Sequence, residues 1–321
     1  MTKVTCVIPC YNEQEVLPLL FDRFTAAAET WGVDWNVICV DDGSSDSTWA
    51  LLREQADKDD RWQALALARN FGHQTAVSAG IYHADGDVVV VIDADLQDPP
   101  EELHRFLDKW REGYQVVYAV RKKRKEGPLK RFCYWAFYRV MAQLVSIPIP
   151  LDTGDFCVMD RKVVDVLNAM PERNRFVRGL RAWAGFKQVG LEYERHARAA
   201  GDVKYTFRKL LKLAFDGIFS FSVVPLKFAT WLGFSVSLLA LAGILFTFVQ
   251  RLFPDLFNSV GLRPVPGFAT IVIAILFLGG VQLTCLGILG EYLGRIFDEV
   301  KRRPQWVFRD NVGLQGRIPP P

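Results

Sequence analysis

The chain contains no G-x-G triplet and no Gly-Lys pair. Neither a glycine-rich dinucleotide fingerprint nor a P-loop is therefore available to hold phosphates, and the work falls to a metal ion or to basic side chains. Six cysteines, Cys6, Cys10, Cys39, Cys133, Cys157 and Cys285, include no C-x-x-C pair. Zinc-ribbon and dithiol redox chemistry are excluded, and reduced structural thiols are expected. Histidine is scarce: His73, His83, His104 and His196 show no metal-ligand spacing and read as surface or helix-packing residues. A formal net charge of +3 is too small for bulk nucleic-acid binding. Met1 to Val7 lack the apolar core of a signal peptide, so the first part of the chain is expected to stay in the cytoplasm.

Charge is also missing locally. No charged residue lies between Lys227 and Arg251, or between Arg263 and Glu291. Each gap exceeds the roughly 20 apolar residues that cross a bilayer, which predicts two transmembrane helices. Arg208, Lys209, Lys212 and Lys227 precede the pair and Arg295, Lys301, Arg302 and Arg303 follow it, whereas the connecting loop carries Arg251 and Arg263. Both ends are thus expected on the cytoplasmic side of the membrane. Gly290 with Gly294, and Gly233 with Ser237, are small-x-x-x-small pairs suited to helix association, within the chain or in a homo-oligomer.

Ahead of the spans, strands alternate with helices. Lys3 to Ile8 reads as a strand broken by Pro9, with Asn12 and Glu15 as a capping box for a helix that buries Leu17, Leu20, Phe21, Phe24, Ala28 and Trp31. Trp35–Val40, Trp62–Leu67, Val88–Ile92 and Gln115–Ala119 supply further strands; helices are expected from Thr48, over Gly72–Ala84 and from Pro100 to Glu112. The pattern predicts an α/β fold on a mostly parallel sheet, with ligands beyond the carboxyl ends of the strands. Those ends carry Pro9-Cys10-Tyr11-Asn12-Glu13, Asp41-Asp42-Gly43 and Asp93-Ala94-Asp95. Gly43 permits a tight turn, and Asp42 serves either that turn or a ligand. Asp93 and Asp95 fall on one side of extended chain with Gln97 in register, oxygen donors suited to a hard divalent cation carrying a diphosphate.

These three stretches, with Arg69-Asn70-Phe71-Gly72, Asp152-Thr153-Gly154-Asp155-Phe156 and Leu289-Gly290-Glu291-Tyr292-Leu293-Gly294-Arg295, resemble the family-2 inverting glycosyltransferases. More narrowly, the chain is similar to the polyprenyl-phosphate branch, which includes bactoprenol glucosyltransferases and dolichol-phosphate mannosyltransferases. The resemblance implies a nucleotide-sugar-binding fold of the GT-A type. Pro9, Tyr11, Glu13, Asp42 and Asp93 would bind the nucleotide sugar, and Asp93, Asp95 and Gln97 would hold Mg2+ or Mn2+. Asp155 matches the candidate base, so that Asp155 and Asp95 form the catalytic pair, while Arg121, Arg131 and Lys204 match phosphate- or acceptor-binding positions.

The expected organisation is a catalytic domain over 1–203, an amphipathic interfacial helix over 204–225, spans at 226–250 and 267–290 flanking an external loop at 251–266, and a cytoplasmic tail over 291–321. The substrates implied are a nucleotide sugar, foremost UDP-glucose, and undecaprenyl phosphate. GDP-mannose and an aminoarabinose donor are alternatives. A processive synthase is disfavoured because the chain lacks a Gln-x-x-Arg-Trp motif. A non-catalytic membrane scaffold is disfavoured by the intact Asp93, Asp95, Gln97 and Asp155 set.

Overall fold

A computed structural model of the chain describes residues 2–121, 153–173, 175–194, 224–253 and 267–314. They fall into two compact units, one built from residues 2–194 with 302–314, the other from residues 224–301.

The first unit is an α/β sandwich on a mixed sheet. Its strands are β1 (Lys3–Cys10), β2 (Asp34–Asp41), β3 (Trp62–Leu67), β4 (Val88–Val91), β5 (Val116–Arg121), β6 (Thr153–Asp160), β7 (Gln188–Tyr193) and β8 (Phe308–Val312). Its helices are α1 (Leu17–Ala28), α2 (Thr48–Lys58), α3 (His73–His83), α4 (Leu103–Arg111), α5 (Arg161–Ala169) and α6 (Val177–Trp183). The order across the sheet is β7-β5-β6-β4-β1-β2-β3-β8. The parallel core expected from the alternation is present as β3-β2-β1-β4, and β5 pairs parallel with β7. Antiparallel β6, between β4 and β5, and β8, on the free edge of β3, make the sheet mixed.

The expected face of α1 is buried, and Phe24 meets Trp31, Trp35 and Trp62 edge to face. Helix α3 covers the opposite face. A Cβ at Gly80 would lie 2.2 Å from Val7 Cγ1, so only glycine lets this helix settle onto β1.

Two local expectations need correction. Strand β1 runs through Pro9 to Cys10, because along β2 the pairing continues to Cys10 opposite Asp41. Proline acts on the other side. Ile92 N donates to Val7 O at 3.1 Å, and the next bond toward β4 would need an amide hydrogen that residue 9 lacks. The β1–β4 ladder stops there, freeing the chain from Asp93 onward. Asn12, in turn, is no capping residue: it adopts a left-handed φ of 54°, and α1 starts at Leu17 with a proline in its first turn.

The second unit consists of α7 (Val224–Leu252) and α8 (Phe268–Val300). The most apolar 18 residues within Val224–Gln250 and within Ile273–Val300 have mean hydropathies of 2.3 and 2.1, and 6% and 0% of those residues are buried. A core helix of a soluble protein would be covered; these two present Leu, Ile and Phe outward, as lipid contact requires. Cys285 Sγ reaches Ala229 O at 3.6 Å between the helices. Among the described residues a Cβ at Gly233, Gly290 or Gly294 would meet nothing within 4 Å. Helix α8 continues ten residues past 290. The Glu291–Arg295 and Asp298–Lys301 ion pairs sit one turn apart, and charge that would end a bilayer span does not end a helix.

The segment read as a tail carries β8. Trp306 is buried, Gln305 Nε2 donates to Glu172 O at 2.9 Å, and Ala68 N donates to Val307 O at 2.8 Å. The juxtamembrane segment 204–223 lies outside the described residues.

Candidate active site

Each strand of the parallel core is followed within a few residues by a left-handed one: Asn12 after β1, Gly43 after β2, Gly72 after β3 and Leu96 after β4. These reversals bring four loops to one edge of the sheet. For Asn12 and Leu96 the left-handed conformation costs about 1 kcal/mol or more, a cost seen chiefly where the surroundings enforce a working geometry.

The first two loops are laced together. Asn12 N donates to Ser44 Oγ and Ser45 N to Asn12 Oδ1, both at 2.9 Å; Glu13 N donates to Thr48 Oγ1 at 2.9 Å and Ser47 N to Gln14 Oε1 at 3.0 Å. Just ahead of α2, Asp46 accepts from Thr48 N at 3.0 Å. This lattice explains the run Ser44-Ser45-Asp46, and beside it Tyr11 is 40% exposed. Pro9 is buried in β1.

Asp42 holds a neighbouring loop. Its Oδ1 accepts from Phe71 N at 2.7 Å and its Oδ2 from Gly72 N at 3.0 Å, fastening the loop after β3 to the loop after β2. Burial raises its pKa against the pull of those two amides. Neighbouring Gly43 permits the approach: a Cβ there would lie 2.4 Å from the Arg69 carbonyl carbon.

Asp155 is in a strand, not in a glycine turn. The antiparallel register that pairs Val91 with Cys157 continues to set Asp155 across from Asp93, just past the last paired residues. His73, the first residue of α3, bridges them, with Nε2 3.0 Å from Asp155 Oδ2 and 3.8 Å from Asp93 Oδ1. Gln74 Nε2 also donates to Asp155 Oδ2 at 3.0 Å, and its Oε1 accepts from Val177 N at 3.0 Å, tying α3 to α6. From α6, Arg178 Nε stands 3.1 Å from Asp155 Oδ1.

The electrostatics follow from this geometry. Burial alone would raise the Asp155 pKa, yet the His73 hydrogen bond and the Arg178 and Arg181 guanidiniums hold it well below the usual carboxylate range. For His73, whose side chain is 41% exposed, partial desolvation opposes the charge, but the bond to Asp155 and the nearby Asp93 push its pKa up to about 9. Asp93 moves the other way, to about 6, through burial and the neighbouring Asp155, Asp98 and Asp95, with His73 opposing.

His73, Gln74 and Arg178 were not singled out from sequence. The position of His73, directly after the Arg69–Gly72 motif at a strand end, was the available signal; the spacing of Arg178 and Arg181 carried none. Among the other expected positions, Asp95 is buried, with Oδ1 accepting from Gln97 N at 3.1 Å. Tyr193 OH donates to buried Asp98. Arg121 ends β5 opposite Tyr193. Arg131 and Lys204 lie outside the described residues.

No three His, Cys, Asp or Glu side chains converge as a closed metal-ligand set among the described residues. A cation that takes one or two carboxylates and completes its shell from phosphate and water still fits. Desolvation, with the neighbouring carboxylates, pushes Asp93 up to about 6, and positive charge placed beside it would offset both.

Paired carboxylates and an arginine gathered at the carboxyl ends of parallel strands, in a chain that also carries two helices long and apolar enough to cross a membrane, are the features of an α/β enzyme with a membrane-associated segment. The chain belongs to glycosyltransferase family 2, whose model matches residues 5–167, and residues 224–296 match the GtrB C-terminal hairpin. It is 45% identical over 314 residues to "Uncharacterized glycosyltransferase sll0501" of Synechocystis, covering 98% of this chain and 96% of the relative. It is 38% identical over 308 residues to the "SfII prophage-derived bactoprenol glucosyl transferase" of Shigella flexneri, covering 96% and 97%. Among solved structures it is similar to glucosyl-3-phosphoglycerate synthase from Mycobacterium tuberculosis with Mn2+ and UDP, at 17% identity and a TM-score of 0.44, covering 68% and 78%.

Proposed function

We propose that the protein transfers a hexose, foremost glucose from UDP-glucose, with inversion onto undecaprenyl phosphate at the cytoplasmic face of the inner membrane. The observation that carries this reading is the Asp93–His73–Asp155–Arg178 constellation at the strand ends of a chain that also bears two lipid-facing helices. Full-length similarity to a bactoprenol glucosyl transferase supports the acceptor and the sugar.

The two substrates need different surroundings. Tyr11 and Glu13, on the laced loops, would meet the nucleoside, and Asp93, Asp95 and Gln97 would hold Mg2+ or Mn2+ at the diphosphate. Such an ion, when bound, offsets the negative charge that develops on the departing nucleoside diphosphate. Asp42 keeps the loop after β3 in place, and His73 adds positive charge between the two carboxylates.

A phosphomonoester has a second pKa near 6, so the acceptor is already mostly deprotonated at cytoplasmic pH. Asp155, held ionised by His73 and Arg178, is a weak base and has little proton to take. Its part is to orient a sugar hydroxyl or the acceptor while Arg178, with Arg121 and Arg131, neutralises phosphate. Attack in line on the anomeric carbon from the face opposite the diphosphate gives a β-linked product from an α-linked donor.

Membrane topology follows the same reading. Strand β8, after the second long helix, pairs with β3, which precedes the first. One sheet cannot occupy both sides of a bilayer, which supports an even number of crossings, and the basic flanks favour the cytoplasmic side. The polyprenyl tail then stays in lipid while its phosphate reaches the pocket. The test is incubation of purified protein with radiolabelled nucleotide sugars and undecaprenyl phosphate; formation of a lipid-linked monosaccharide from UDP-glucose is expected, and a polymeric or water-soluble product would refute the reading.

A further inference from the structure

We infer that the strand following the second long helix is a working part of the nucleoside pocket, and that Arg309 is a positioning residue for donor binding. This rests on the nucleotide-sugar reading above. Asp41, the last residue of β2, is fully buried. Its Oδ1 accepts from Ser44 N at 3.0 Å, and Arg309 from β8 places a guanidinium nitrogen 3.3 Å from its Oδ2. The same guanidinium lies 5.8 Å from the centre of the Trp49 ring on α2.

A buried carboxylate demands a counter-charge and hydrogen bonds. Asp41 obtains the charge from a segment remote in sequence and the hydrogen bond from the loop it helps to shape. Ser44 then accepts from Asn12 N, and Ser45 N binds Asn12 Oδ1, so the chain of contacts runs from Arg309 through Asp41 and Ser44 to the residues flanking Tyr11. Strand β8 is itself anchored. Trp306 packs edge to face on Tyr82, Phe308 packs on His83, and Ala64 to Ala66 pair with Val312 to Asp310. Arg309 therefore acts from a fixed platform, and its removal loosens the Asp41–Ser44 turn without touching the groups that contact sugar or acceptor.

The experiment measures KM for the nucleotide sugar, kcat and direct nucleotide binding for full-length wild type, Arg309→Ala, Arg309→Gln and Arg309→Lys. Both Ala and Gln variants are expected to raise KM about tenfold, equivalent to ~1.4 kcal/mol, with kcat within about twofold. The Lys variant, which restores the charge, should recover to within about threefold of wild type. Should Arg309→Ala not fold, Arg309→Gln carries the test, since it keeps a polar side chain and loses the charge. KM within about twofold of wild type in the neutral variants, or a fall in kcat at unchanged KM, would overturn the inference. Wild-type protein that binds no nucleotide sugar would instead refute the underlying functional reading.

Discussion

His73 Nε2 stands 3.0 Å from Asp155 Oδ2, joining the first turn of α3 to the start of β6. One residue from a helix and one from an antiparallel strand thus share a charge at the edge of the parallel core. Removing His73 should disturb Asp155 more than any change in fold would indicate. His73→Gln is expected to lower kcat about tenfold or more while circular dichroism stays unchanged. Unaltered turnover would separate the histidine from the reaction.

The same pair makes stability depend on pH in a defined window. His73 has a raised pKa, so its contribution is fully present below the unfolded value near 6.5 and is lost as pH rises through about 9. Asp155 has a depressed one, so its contribution is present above about 3.9 and fades as pH falls below that. In metal-free buffer the Tm difference between wild type and His73→Gln should be largest between about pH 4 and 6.5 and shrink toward pH 9 and above. A difference that grows on going alkaline would contradict the ion pair.

Asp93 provides a test of metal binding that does not rely on activity. A cation favours the deprotonated carboxylate, and Asp93 titrates near 6. Added Mn2+ should therefore raise Tm more at pH 7.5 than at pH 5, and Asp95→Ala should remove most of that rise while leaving the protein folded. Equal metal-induced shifts in wild type and variant would place the ion elsewhere.

Gly43 and Trp306 report on how the loops and the last strand are held. At Gly43 a side chain would meet the Arg69 backbone at a φ of 69°, so Gly43→Ala should cost about 2–4 kcal/mol in urea unfolding. Trp306→Ala empties a buried site beside Tyr82 and should cost about 3–5 kcal/mol. Near-wild-type midpoints in both would mean that neither contact is made.

The parallel core was legible in the sequence because buried strands such as Val88–Val91 are continuous apolar runs and α1 keeps a helical period. Its limits appear at particular residues. Phe308-Arg309-Asp310-Asn311-Val312 has little β propensity and forms a strand because the open edge of β3 offers it backbone partners. Asn12 matched a capping pattern, yet its side chain is drawn into the neighbouring loop, a tertiary contact that local pattern does not encode. In the site, the carboxylates announced themselves through motifs. The residues that set their charge, His73 on α3 and Arg178 on α6, became visible only when the register of β6 against β4 brought Asp155 opposite Asp93.

One product tests the proposed transfer most directly. Purified full-length protein, supplied with UDP-[14C]glucose, Mn2+ and undecaprenyl phosphate in detergent, should form a single chloroform-soluble glucosyl lipid whose anomeric linkage is β by NMR. Asp155→Ala should reduce it about a hundredfold or more. An α-linked product, or label that stays in the aqueous phase with every nucleotide sugar tried, would contradict the account.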